Sequence, residues 1–214
     1  MITLYVETNF LMAIAHGRDS FNIILNNYNP SLKIVIPDIC FIEALSTFEK
    51  ERQNRQEFNR ELNIQYNKAF RDINSPNAQN LMQYLQQTII FNNKILDDIT
   101  FRLKQVIISL IDKAEIINMN SAILADLTEK TLIGSDSDSD SEKLLIQNDL
   151  MDNLILQCIL NHAKSDTQGI KVFLSGNTKD FDKPKVQEAL RNAGISKYFT
   201  RTQDFLGWLQ SQNS

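Results

Sequence analysis

Apolar residues follow two periods along this chain. Residues 2–6, ITLYV, form a short run rich in β-branched and aromatic side chains; it stops at Glu7-Thr8-Asn9 before FLMAIA resumes with helical character. This predicts strand, polar turn, helix. KIVIP at 33–37 predicts a second strand closed by Pro37, with Asp38 placed to cap the helix that continues through CFIEALSTFEKE. KVFLS at 171–175 predicts a third strand, between the strongly apolar helix DLMDNLILQCILNHAK and a polar turn, GNTKDFDKP. A short fourth strand near KYFTR and a final helix, QDFLGWLQS, complete the alternation. Strands alternating with helices predict a parallel sheet covered on both faces, an α/β fold.

Between the second and third strands the period is helical throughout. Phe58, Leu62, Tyr66, Ala69, Phe70 and Ile73 make one stripe, and Asn74-Ser75-Pro76-Asn77 breaks it. Leu81, Leu85, Ile89, Leu96, Ile99, Leu103, Val106 and Leu110 then carry a second helix almost to Ile117. Residues 50–117 are therefore expected to pair as an antiparallel helical hairpin, with the first stripe against the second helix. Lys50, Arg60, Lys68 and Arg71 fall opposite that stripe, as either a solvated face or a cationic surface for a phosphate backbone. A further helix, SAILADLTEKTLI, ends at Gly134, where GSDSDSDSE (134–142) has no apolar face and is expected to be a disordered acidic loop.

Composition narrows the class. A chain of 214 residues is long enough to bury roughly 70% of its unfolded surface as a single domain spanning 1–214. Its net charge of −4 argues against holding nucleic acid by bulk charge alone, leaving only a local basic patch. The longest apolar runs, such as QVIISLI, fall far short of the ~18 residues that span a bilayer. With no basic N-terminal region or cleavage site, the expected location is cytoplasmic, without a membrane anchor. Cys40 and Cys158 sit in apolar sequence and are expected to be reduced core thiols. His16 and His162 adjoin polar turns and are expected at the surface. With 6 glycines and no GxGxxG or GxxxxGK[ST], the common nucleotide-binding loops are excluded.

The acidic residues carry the candidate chemistry. Ligands of an open parallel sheet bind outside the carboxyl ends of its strands. Glu7 ends the first strand, Glu43 lies in the first turns after the second, Asp149 and Asp152 open the helix before the third, and Asn177 and Asp180 follow that strand. Carboxylates gathered at one edge repel unless a cation lies between them, and hard oxygen donors with few His or Cys suit Mg²⁺ or Mn²⁺. Asp149 or Asp152 taken singly reads more readily as a helix cap than as a ligand. Glu7, directly after an apolar strand, would be costly to bury without a function.

VETNFLMAIA, a Glu in the helix after the second strand, NDLMDNLILQCIL and FLSGNTKDF stand in an order that resembles the PIN domain, over about residues 1–50 and 144–205. That resemblance implies a PIN-like parallel sheet flanked by helices and a metal-dependent ribonuclease of toxin or defence type. Glu7 would be the first acid, Glu43 the second and Asp152 the third, together the metal ligands. Asp149 would be auxiliary, Asn177 would take the fourth, often acidic, place, and Asp180 would be the Asp of the trailing Lys-Asp-Phe. Thr8, Asn9, Ser175 and Lys179, with Arg60, Lys68 and Arg71 of the hairpin, are the expected substrate contacts. The implied cofactor is Mg²⁺ or Mn²⁺. The implied partners are RNA or single-stranded nucleic acid, an antitoxin or other protein, and a second copy in a homodimer. Two positions depart from the family, whose first acid is usually Asp and whose fourth is often acidic. The hairpin also exceeds what compact members carry and points to a larger PIN-like subgroup. The departures leave an alternative open: a catalytically weak PIN-like module whose hairpin binds a protein.

Overall fold

A computed structural model describes residues 1–19, 31–132, 144–146 and 149–212. The acidic run at 134–142 lies outside the described residues. Five strands, β1 (Ile2–Val6), β2 (Leu32–Pro37), β3 (Glu115–Ile117), β4 (Ile170–Leu174) and β5 (Ile195–Phe199), form one sheet in the order β3-β2-β1-β4-β5. Every pairing is parallel, and Leu4 of β1 lies between Ile34 of β2 and Val172 of β4. All five residues of β1 are buried, as a central parallel strand covered on both faces requires. The chain enters β4 through Gly169, whose φ is +70° and where a Cβ would come within 2.1 Å of the Met1 carbonyl oxygen. Only glycine meets both demands.

Eight helices surround the sheet among the described residues: α1 (Thr8–Ala15), α2 (Ile39–Phe70), α3 (Pro76–Lys113), α4 (Ser121–Leu132), α5 (Leu150–Ser165), α6 (Thr178–Phe181), α7 (Pro184–Asn192) and α8 (Thr202–Ser211). The core runs from β1 and β4 through α5, where Ile155, Leu156, Ile159 and Leu160 are buried. Each such side chain contributes roughly 1.5–3 kcal/mol by leaving water. Among the described residues no helix is long and apolar enough to cross a membrane. Cys40 and Cys158 are buried and unpaired.

The hairpin grows directly out of the frame. The helix after β2 does not stop before the first hairpin helix; both are α2, one rod of 32 residues. Ser75 caps α3 by accepting from the Ala78 N–H at 3.2 Å, with Pro76 at the first position, where its missing N–H costs nothing. Toward its C-terminus α3 buries Ile99, Leu103, Val106 and Leu110 and packs on α1. Farther out the seam is polar. Arg55 donates to Asn92 Oδ1 at 2.8 Å, Asn92 to Asn59 Oδ1 at 2.8 Å, and Asn59 to Asn93 Oδ1 at 2.7 Å.

Several expectations need correction. The second hairpin helix ends at Lys113, and residues 115–117 form β3, too short and too plain in pattern to be recognised. Asp38 makes no side-chain cap; its Oδ1 instead accepts from the Met119 N–H at 3.3 Å, tying the end of β2 to the segment after β3. The first stripe only partly packs: Leu62, Tyr66 and Ala69 are half-buried, whereas Phe58, Phe70 and Ile73 are exposed. Neither histidine stands free at the surface. His16 meets Glu51 at 2.5 Å, and His162 Nδ1 lies 2.9 Å from the Tyr5 hydroxyl.

Candidate active site

In the strand order β3-β2-β1-β4-β5 the chain switches sides between β1 and β4, and a crevice at the carboxyl ends of those strands is the expected ligand seat. A cleft of about 720 Å³ occupies that place. Glu7, Glu43, Asp149, Asp152 and Asn177, brought from four separate segments, all line it.

Each acid is placed by a local device. Glu7 is the residue between β1 and α1 and accepts from the Asn9 N–H at 2.7 Å, which caps α1. Glu43 sits one turn into α2, where the Thr8 hydroxyl donates to its Oε2. Asp149 caps α5 through the Asp152 N–H at 3.0 Å. The fully buried Asn153 fixes that entry by accepting from the Ile146 N–H at 3.0 Å and donating to the Asp149 carbonyl at 2.7 Å. Asn177, after β4, donates to Asp152 Oδ2 at 2.8 Å.

The electrostatics are those of negative charge held out of water. Glu7 is 1% exposed, and its Oε1 has no hydrogen-bond partner. Burial pushes its carboxyl up to about 8; the Asn9 N–H and the Ser175 hydroxyl oppose that, and Asp152 and Glu43 add to it. Burial, then Asp149, Glu43 and Asp180, push Asp152 up to about 7, against the hydrogen bond from Asn177. Burial also raises Glu43, with Asp149 acting the same way and Thr8 and Lys50 opposing. Three acids are thus each costly to ionise, which is the condition a cation relieves.

The donor set fits a hard divalent ion: Glu7, Glu43, Asp149, Asp152 and Asn177 all offer oxygen, and one Glu7 oxygen is unpartnered. The side chains do not already enclose one point, since among the described residues no three His, Cys, Asp or Glu form a ready cage.

Other expected contacts fall differently. Thr8 and Ser175 are buried; Thr8 orients Glu43, and Ser175 Oγ accepts from the Asn177 N–H at 3.0 Å. Both line the cleft beside the acids. Asn9 is exposed at the rim. Asp180 does not line the cleft: Lys183 binds it at 2.9 Å and holds its carboxyl below the usual range. Lys179 is exposed and also outside the cleft. Arg60, Lys68 and Arg71 are exposed on the outer hairpin, with Arg60 about 25 Å along the helix from Glu43 and Lys68 still farther. The structure does not bring them to the acids.

The cleft also holds residues the sequence reading passed over: His16, Arg18 and Asp19 after α1, and Thr200–Gln203 after β5. The second group follows a strand and so lies at the carboxyl edge; the rule that found the acids could have found it. A family model described as "PIN domain" matches residues 4–181. No curated protein and no solved structure matches the chain.

Proposed function

The chain belongs to the PIN domain family, and on that premise we propose that it is a metal-dependent nuclease hydrolysing the phosphodiester bonds of RNA or single-stranded nucleic acid. PIN domains are generally metal-dependent nucleases. The observation that carries the reading is Glu7, a carboxylate 1% exposed with one oxygen unpartnered, in a cleft that Glu43, Asp149 and Asp152 also line.

Glu7, Glu43 and Asp152 are the residues that would hold Mg²⁺ or Mn²⁺, with Asp149 and Asn177 at the margin. When bound, such an ion supplies Lewis-acid polarisation of the phosphodiester and lowers the pKa of water. The protein's own part is orientation. Thr8 and Asn177 each engage one oxygen of Glu43 and Asp152, which fixes the carboxylate planes and leaves the other oxygen to act. Without an ion, burial and the neighbouring acids push Asp152 up to about 7, so an ion held there would displace its proton. Asn9, exposed at the rim, is placed to meet the incoming strand.

The test is incubation of the pure protein with labelled single-stranded RNA and DNA in Mn²⁺, Mg²⁺ or EDTA. Cleavage that needs the ion and is lost in Glu43→Gln supports the reading; none with either ion overturns it. A second reading, an interaction module, is favoured by the exposed Tyr84, Phe91 and Ile95 on α3, at 67%, 60% and 46%. In that case the wild type binds Mn²⁺ no better than a Glu43→Ala, Asp152→Ala double variant.

A further inference from the structure

The cleft of the acids has a neighbour beyond Glu43. Because α2 is unbroken, Glu43, Thr47, Lys50, Asn54 and Phe58, spaced by four, three, four and four, share one helical face. A second groove of about 540 Å³ follows that face, lined by Thr47, Lys50, Glu51, Asn54, Arg55 and Phe58 and floored by Asn92 of α3. Thr47 also lines the cleft of the acids, so the two hollows adjoin at that residue.

The groove's side chains divide by role. Arg55 and Asn92 are committed to holding the hairpin, Arg55 by two hydrogen bonds to Glu51 Oε1 and one to Asn92. Lys50 makes no hydrogen bond or ion pair among the described residues, and its charge helps hold the Glu43 carboxyl down. Phe58 is 49% exposed, a ring left uncovered in a setting otherwise made of amides and charges. One exposed aromatic ring with one ammonium outside any ion pair and one amide is the complement of a nucleotide, which offers a π-face, a phosphate and polar edges. A protein helix would find better purchase on the aliphatic and aromatic side chains of α3, Tyr84, Phe91 and Ile95, than in this polar trough.

We propose that this groove seats the RNA single strand leading away from the scissile bond, with a base stacked on Phe58 and a phosphate against Lys50. The proposal rests on the nuclease reading and names where its substrate lies. Glu43 and Phe58 are about 22 Å apart along the helix, a span of several nucleotides. Short substrates therefore reach the acids without reaching the ring.

The experiment is fluorescence anisotropy of the full chain with labelled decauridylate in EDTA, which suppresses cleavage. Phe58→Ala should weaken binding roughly five- to 150-fold, the loss of one base–aromatic stack, and Phe58→Trp should retain it. Lys50→Gln should weaken binding and lower the slope of log affinity against log salt by about 0.7. Circular dichroism confirms that each variant is folded. Equal affinity of Phe58→Ala and wild type, or no binding by wild type, overturns the proposal and leaves the groove to another occupant. Binding through Phe58 without cleavage under any ion keeps the groove and defeats the nuclease reading. Cleavage that ignores Phe58 in KM for a long RNA does the reverse.

Discussion

Replacing Glu7 with Gln should stabilise the ion-free protein at pH 8 and change little at pH 5. Burial raises the Glu7 carboxyl from 4.5 to about 8. Between those values the unfolded chain has released a proton that the folded chain keeps, so folding weakens as pH rises. Each pH unit in that window costs about 1.4 kcal/mol, and across the whole of it the cost reaches at most about 5 kcal/mol. It is absent below the unfolded value and complete above the folded one. Gln has nearly the same shape and keeps an acceptor for the Asn9 N–H, so the variant removes the charge and little else. For a chain of this size 1 kcal/mol moves the melting temperature by about 2–4 °C, so a gain on the order of 10 °C is expected at pH 8. The assay is thermal unfolding in EDTA from pH 5 to 9, followed by circular dichroism. Glu43 and Asp152 are also raised, so wild-type stability should fall more steeply over this range than Glu7 alone dictates. Wild-type stability that rises from pH 5 to 8, or a Gln variant less stable than wild type at pH 8, refutes the reasoning. Saturating Mn²⁺ at pH 8 should recover about 2.7 kcal/mol at one hundred times its Kd, and less in the Gln variant.

Glu43→Gln and Asp152→Asn should each lose most ion-dependent cleavage with no fall in melting temperature at pH 8; wild-type rates in both would place the chemistry elsewhere. Asp149→Ala should cost about 1 kcal/mol in thermal unfolding through the lost cap on α5, and a variant deader than Asp152→Asn would make Asp149 the principal ligand. Thr8→Val removes a hydrogen bond that holds the Glu43 carboxyl down, so the acid limb of the pH–rate profile should move to higher pH; an unmoved limb would separate Thr8 from the chemistry. Reversing Arg60, Lys68 and Arg71 to Glu should leave cleavage of a tetranucleotide unchanged, because α2 carries them away from the acids; a loss on that short substrate would show that they reach the cleft.

The frame was legible where residue types are forced by burial. A strand buried on both faces must read as a continuous apolar run, so β1, β2 and β4 were found, and the acids after them followed from the carboxyl-edge rule. β3 escaped because three residues, Glu-Ile-Ile, carry no period and follow a helix without a breaker. The α6–α7 segment escaped because its Asn, Asp, Lys and Pro read as a turn, and the pairing of Asp180 with Lys183 only becomes visible once a short helix sets them side by side. Within the site, Glu7 and Glu43 were found as acids, but the bond from the Thr8 hydroxyl to Glu43 was not legible. A hydroxyl's partner is fixed by the packing of α1 on α2, a tertiary fact with no trace in spacing.

The outer hairpin shows why an apolar stripe is a weak guide to what a helix buries. Arg55 and Asn59 take the places a core residue would occupy opposite Asn92, and Phe58, the apolar residue between them, is turned to the groove. A polar seam tolerates few registers, because a slip leaves its amides and the guanidinium unpaired in a half-buried place, whereas an all-leucine seam would slide at little cost. The seam therefore fixes α3 against α2, and α2 is continuous from Glu43 to Phe58. Glu43 and Phe58 are thus parts of one rigid rod, whose rise of about 1.5 Å per residue sets their separation. On this geometry, the length of α2 between Glu43 and Phe58 decides how far from a bound base a strand is cut.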